Sequence, residues 1–157
     1  MPSPELRKGR HSMQGAVYAV TVNTRHRQAL FRDASMAEVV REQLRYSDNE
    51  GSSQTHAWVV MPDHLHWLFT LDQGELSACL RRFKSRSARA INQVRRQSGA
   101  IWQPGFYNHR LRDDEDLRGQ ARYIVANPVR AGLVADVHEY PHWGCQWISR
   151  HVGIDGS

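Results

Sequence analysis

An α+β fold built on one antiparallel sheet is what this 157-residue sequence predicts. Three observations carry the expectation. Short segments rich in β-branched and aromatic residues alternate in polarity, longer segments repeat their apolar residues at helical spacing, and the two kinds follow one another as β, α, β, β, α, β and a last helix. An order of that kind fits helices packed on a sheet of hairpin-connected strands.

The first strand is read over Gly15 to Asn23, "GAVYAVTVN". A helix follows over Ala34 to Tyr46, where Met36, Val39, Val40, Gln43 and Leu44 share a face, Asp33 is available as N-cap and Gly51 ends the region. "THAWVVM" and "HLHWLFTL" are two short strands separated by Pro62 and Asp63, a pair suited to a tight turn, so a β-hairpin is expected with His64 entering its second strand. From Glu75 to Gln97 an amphipathic helix sets Leu76, Cys79, Leu80, Phe83, Ala90, Ile91 and Val94 on one face and arginines elsewhere. Phe106 to Arg112 resembles a fourth strand, and "DDEDLRGQARYIVANPVRAG" supplies acidic N-terminal residues, a helical body and a stop at Pro128. The whole is a four-stranded antiparallel sheet with two helices on one face, the ferredoxin-like arrangement, followed by a C-terminal helix.

The length suits a single domain over residues 1–157, with residues 1–12 a loose basic arm and 150–157 a loose tail. The apolar stretches fall well short of the roughly 20 residues that a membrane span needs, and "MPSPELRKGRHS" has no signal-peptide core. A cytoplasmic protein with no membrane partner is therefore expected. Cys79 and Cys145 form no CxxC pair and read as packing residues, not as a disulfide or a four-cysteine zinc site. Basic residues outnumber acidic ones by 21 to 16, and 19 of the 21 are arginine. The planar fork of arginine grips phosphate oxygens bidentately, so the charge favours nucleic acid over other anionic partners.

Within "VVMPDHLHWLFT", His64 and His66 project to the same side of a strand, about 6.6–7 Å apart, while Leu65 and Trp67 point to the other. Two imidazoles so placed can share one metal ion, or can be ordinary histidines satisfied by their neighbours. In "ARYIVANPVRAGLV", Tyr123 and Asn127 are four residues apart, so a hydroxyl nucleophile and an amide oxygen can point together from one helical face. Taken alone, Tyr123 also suits a core or an interface.

"MPDHLHWLF" resembles the histidine-hydrophobic-histidine motif of the HUH single-strand DNA endonucleases, and "ARYIVANPVRAGLV" resembles the tyrosine helix of REP-associated tyrosine transposases, within the single-tyrosine insertion-sequence transposase superfamily. "RKGRHS", "LRRFKSRSARAIN" and "IWQPGFYNHRLRDDEDL" share that family's texture, so the likeness runs from about Leu6 to Trp147. The resemblance implies that His64 and His66 ligate a divalent metal, Mg²⁺ or Mn²⁺, with Asn127 in the place of the third protein ligand. It implies Tyr123 as the nucleophile that forms a 5′-phosphotyrosine bond, and a substrate of single-stranded DNA folded into the hairpin of a repetitive extragenic palindrome. Such a protein would associate with the nucleoid and act as a monomer or a homodimer.

Arg82, Lys84, Arg86 and Arg89 on the long helix, with Arg7, Lys8 and Arg10 on the arm, are candidates to hold the hairpin's phosphates, as is Arg112. His109 is a candidate to support the metal-binding histidines from outside or to bind a phosphate. Two other classes of function compete: a hairpin-binding module without chemistry, and a small metalloprotein in which His64, His66 and His56 hold structural zinc.

Overall fold

The computed structural model describes residues 13–148; the expected arm and tail lie outside the described residues. The first strand, β1 (Val17–Asn23), buries Tyr18, Val20 and Val22 on one side and turns Ala19, Thr21 and Asn23 to the other. Helix α1 (Ala34–Asn49) starts where Asp33 accepts the backbone N–H of Ser35 at 2.9 Å, and it runs three residues past the expected end at Tyr46. Gly51, at φ +85°, then turns the chain into β2 (Ser53–Met61). The two-residue turn Pro62–Asp63 closes the expected hairpin, and β3 (His64–Leu71) pairs back along β2 from Met61 opposite His64.

Helix α2 (Leu76–Arg95) crosses to β4 (Tyr107–Arg110), which pairs with β1. Helix α3 (Leu117–Val125) is capped by Asp116 and leads, after Ala126 alone, into the single turn α4 (Asn127–Arg130). A short strand, β5 (Trp143–Cys145), completes the described chain.

The sheet order is β4-β1-β3-β2-β5, antiparallel throughout. The expected four strands are therefore five, and the tyrosine helix is not the last element. Strand β5 escapes the sequence pattern because it has only three residues, too few to show alternation, and its middle residue is glycine. That glycine is required by packing. A Cβ on Gly144 would stand 2.4 Å from the indole nitrogen of Trp58 and 2.9 Å from the adjoining ring carbon, so β5 can lie against β2 only without one.

Helices α1 and α2 cover one face of the sheet, as the alternation predicts. There Leu65, Trp67, Phe69 and Leu71 of β3 meet Val40 and Leu44 of α1 and Leu80, Phe83 and Ile91 of α2. The opposite face carries a smaller core in which Ala121, Ile124 and Val125 of α3 pack on Ala57, Val59, Met61, Leu68 and Trp143. His64 and His66 belong by strand parity to this second face, with Leu68. The helix bearing Tyr123 therefore lies over the same side of the sheet as the two histidines.

Between β1 and α1, a 3₁₀ turn at Arg25–Arg27 holds two successive non-glycine residues in the left-handed region, His26 at φ +57° and Arg27 at φ +54°. Each costs about 1–2 kcal/mol for an L-residue. The turn is pinned from both sides. Buried Thr24 donates its N–H to the Asp63 carbonyl at 3.0 Å, its hydroxyl lies 2.8 and 3.0 Å from the carbonyls of Gln28 and Asp63, and Arg25 donates to the Ile101 carbonyl at 2.8 Å.

Replacing Gly144 by Ala should destabilise the protein by about 1–3 kcal/mol, the usual penalty of overpacking, because the Trp58 ring must move or β5 must detach. Urea denaturation of the variant and the parent chain measures it, and equal midpoints would show that the contact yields freely.

Candidate active site

The pairing of β1 with β3 sets Thr21 opposite His66 and Asn23 opposite His64. From that register the side-chain network follows. The Nδ1 atom of His64 lies 2.7 Å from Asp63 Oδ1, the Nε2 atoms of His64 and His66 approach to 3.1 Å, and His66 Nδ1 lies 3.0 Å from the Thr21 hydroxyl. Burial pushes the Asp63 carboxyl up, yet the hydrogen bonds from His64 and Arg27 outweigh it and hold the group below the usual carboxylate range. An ionised carboxylate only accepts, so His64 carries a proton on Nδ1 and directs its Nε2 toward His66. His66 is held neutral, its pKa depressed to about 3 by burial first and then by the nearby charges of His64 and Arg130.

Two imidazoles with converging Nε2 atoms can share a metal ion. At 3.1 Å apart, both Nε2 atoms could reach one ion with metal–nitrogen bonds of about 2.1 Å. The Thr21 hydroxyl can donate or accept, so His66 can offer its Nε2 lone pair once its proton moves to Nδ1. Among the described residues no group of three or more His, Cys, Asp or Glu side chains is placed to hold an ion, so two histidines would need an amide, water or substrate oxygen to complete the shell.

His56 is not a third ligand. It sits at the far end of the hairpin, its ring nitrogens 3.1 Å from Gln146 and 2.7 Å from Thr70, and the three-histidine zinc site is thereby excluded.

Helix α3 packs on β2 and β3 through Ala121, Ile124 and Val125, which leaves Tyr123, one residue before Ile124, on its outer side and 62% exposed. The guanidinium of Arg130 lies 3.8 Å from the Tyr123 ring centroid and donates to the Tyr123 carbonyl at 2.6 Å. The positive charge of Arg130 also helps to lower the His66 pKa, so the one side chain contributes to the field at both groups. Tyr140, by contrast, is half-buried, donates to the Val60 carbonyl at 2.6 Å and has its pKa pushed up to about 12 by burial, which makes it a poor nucleophile.

Pro128 was expected to stop the helix. Helix α3 does end before it, at Val125, but after the break at Ala126 Pro128 lies within the first turn of α4. Proline has no N–H to give the carbonyl of Ile124, four residues back. The side-chain amide of Asn127 fills that place, donating to Ile124 O at 2.9 Å, so its Oδ1 remains as the available acceptor. Asn127 therefore no longer shares a continuous helix with Tyr123, and it stands at the junction of α3 with α4, which packs on β2.

The basic candidates separate into groups. Lys84 donates to the carbonyls of Gln103 and Gly105 at 2.9 and 2.8 Å, tying α2 to the segment before β4. Arg86 holds Gln43 at 3.2 Å and covers the Tyr46 ring at 4.4 Å, while Arg82 reaches Ser52 at 3.1 Å, so both bind α2 to the α1 region. Arg89 and Arg112 are exposed, the latter in the turn after β4 and not on the strand. His109 shares the histidine face by register but engages Glu115 at 2.9 Å. Arg7, Lys8 and Arg10 fall outside the described residues.

Among the neighbours of the site, Asp63 was read in the sequence only as a turn residue, and Thr21 and Arg130 were not singled out. Arg130 was findable, since seven residues make nearly two helical turns and return to the face of Tyr123. Thr21 depends on strand register, which no local pattern supplies.

Residues 12–127 match the family model described as "Transposase IS200 like". The REP-associated tyrosine transposase of Escherichia coli K12 is 31% identical over 134 residues, covering 84% of this chain and 78% of that protein. The chain belongs to the IS200-like transposases, in their REP-associated tyrosine group. A second transposase of the group, from Haemophilus influenzae and described as putative, is 35% identical over 101 residues, 57% of each chain. A solved REP-associated tyrosine transposase bound to a REP hairpin superposes with a TM-score of 0.72 at 29% identity, covering 87% of this chain and 81% of that one. A structure from Deinococcus radiodurans, described as that of a putative transposase, shares the fold at 23% identity and a TM-score of 0.53 over 78% of this chain and 97% of its own. No helix among the described residues of this transposase is long and apolar enough to cross a membrane.

His66 gives the metal-free protein a distinct acid response. Unfolded, it titrates near 6.5 and folded near 3, so between those values the unfolded chain binds one more proton and stability falls as pH is lowered. The fall attributable to this residue is up to about 1.4 kcal/mol per pH unit. Urea midpoints measured from neutral pH down to about pH 4 should decline less steeply in His66→Gln, and parallel declines would contradict the buried neutral imidazole.

Proposed function

We propose that this protein cleaves and rejoins single-stranded DNA at palindromic hairpins of the REP type, with Tyr123 as the nucleophile and the His64–His66 pair as the seat of a divalent metal. The observation that carries the proposal is the convergence of the two Nε2 atoms on the sheet face that α3, the helix bearing Tyr123, covers. Membership of the transposase family supports it, as does the likeness to a relative whose structure holds a REP hairpin.

In this scheme the Tyr123 oxygen attacks the scissile phosphorus, the bond from phosphorus to the 3′ oxygen breaks, and the phenolic proton is balanced by protonation of the departing 3′ hydroxyl. The product is a 5′-phosphotyrosine ester, which keeps the energy of the phosphodiester for rejoining. His64, His66 and Asn127 would hold Mg²⁺ or Mn²⁺. When bound, the ion would supply charge stabilisation to the phosphate oxygens. Asp63 and Thr21 orient the two imidazoles, a role that outer partners of metal-binding histidines commonly fill. Arg130 steers an otherwise exposed phenol and places a fixed positive charge beside it. Arg89 and Arg112, with Arg7, Lys8 and Arg10, are assigned to hairpin phosphates; Arg82, Lys84 and Arg86, each engaged in contacts within the protein, add positive field.

Incubating the protein with a labelled hairpin carrying a single-stranded extension and Mn²⁺ should yield a slow, protease-sensitive band on a denaturing gel. Tyr123→Phe should abolish that band while retaining the shift on a native gel; cleavage persisting in the variant would assign attack to water. Asp63→Asn should weaken Mn²⁺ affinity about 10–100-fold by titration calorimetry. Unchanged affinity would remove Asp63 from the metal's outer shell.

A further inference from the structure

The turn Arg25–His26–Arg27 belongs to neither core. All three side chains are exposed, and two of the three backbones are held in left-handed conformations that glycine would adopt without strain. Strain of this kind persists only where the surroundings over-determine it, and it gathers at ligand clamps and active sites. Here the surroundings are known: Thr24 fastens the turn to Asp63 on one side, and Arg25 N–H fastens it to Ile101 on the other.

What the strain achieves is the outward presentation of basic groups beside the histidine pair. Arg27 Nε lies 3.1 Å from Asp63 Oδ2, and the other oxygen of the same carboxylate holds His64 Nδ1 at 2.7 Å, so one carboxylate separates the guanidinium from a putting-in-place contact of the site. Arg27 spends only its Nε there, and its side chain remains 54% exposed. Arg25 donates its Nε to the His26 ring at 3.3 Å. In both residues the outer guanidinium nitrogens, the pair that fits two phosphate oxygens, face solvent without a partner among the described residues.

We infer that Arg25 and Arg27 form a backbone clamp for single-stranded nucleic acid, binding the phosphate next to the one seated at His64 and His66. The inference rests on the proposed function and deepens it. A clamp one nucleotide from the scissile bond fixes the strand's register against Tyr123, and its rigidity means that little conformational freedom is lost when the strand arrives.

The test is hairpin binding without metal, in EDTA, over a range of salt concentrations, for the parent protein, Arg25→Gln, Arg27→Gln and the double variant. Each single change should reduce the slope of log affinity against log salt by about 0.7, and the pair by about twice that. A hairpin series with one neutral methylphosphonate linkage at each position around the cleavage point should contain one linkage that weakens the parent and not the double variant. Metal-free binding excludes an indirect effect of Arg27 through Asp63 and His64, and Arg25 does not touch Asp63. Slopes and linkage profiles unchanged in the variants would overturn the clamp while leaving hairpin binding intact. A flat salt dependence in the parent itself would instead sink the proposed function on which the clamp rests.

Discussion

The period of two along β3 is the constraint on which the rest depends. Because successive side chains leave a strand on opposite sides, Leu65, Trp67, Phe69 and Leu71 build the main core while His64 and His66 are delivered to the other face. A slip of one residue against β1 would exchange these sets, sending imidazoles into the apolar core and indoles into the site. The burial of the first set therefore enforces the position of the second, and the stability of the sheet is also what aims the histidines.

Around that constraint the site is assembled from distant pieces. Thr21 arrives from β1, Asp63 from the hairpin turn, and Arg130 and Asn127 from the helical turn after α3. None of them is deeply buried, so the geometry depends on the elements that carry them. The one-residue break at Ala126 shows the same economy of means: proline's missing donor is replaced by the side chain of Asn127, which is thereby held in a single orientation.

Much of this was legible in the sequence. The alternation of β1 and β3, the Asp33 cap, the Pro62–Asp63 turn and the facing of α1 and α2 all follow from local rules, and local rules held where a segment was long enough to repeat its period. Trp143–Cys145 was not, and its place depends on the absence of a Cβ facing Trp58, a contact between residues 86 positions apart. The basic face of α2 was only partly legible for a related reason. Polarity identifies a residue that avoids the core, but not whether it meets solvent or a neighbouring helix, and Arg86 and Lys84 turn out to be fasteners. Tyr123 and the two histidines were visible as a motif; the bond network that sets their tautomers needed the register.

The sheet's two outer strands have a consequence of their own. β4 offers four residues along one margin and β5 three along the other, the latter centred on glycine and lying over the longer, more apolar β2. An open β2 would present nine residues of unpaired backbone to any passing extended chain. With β5 in place, what remains exposed at that margin is too brief to template another strand, so this fold carries its own guard against aggregation through its sheet.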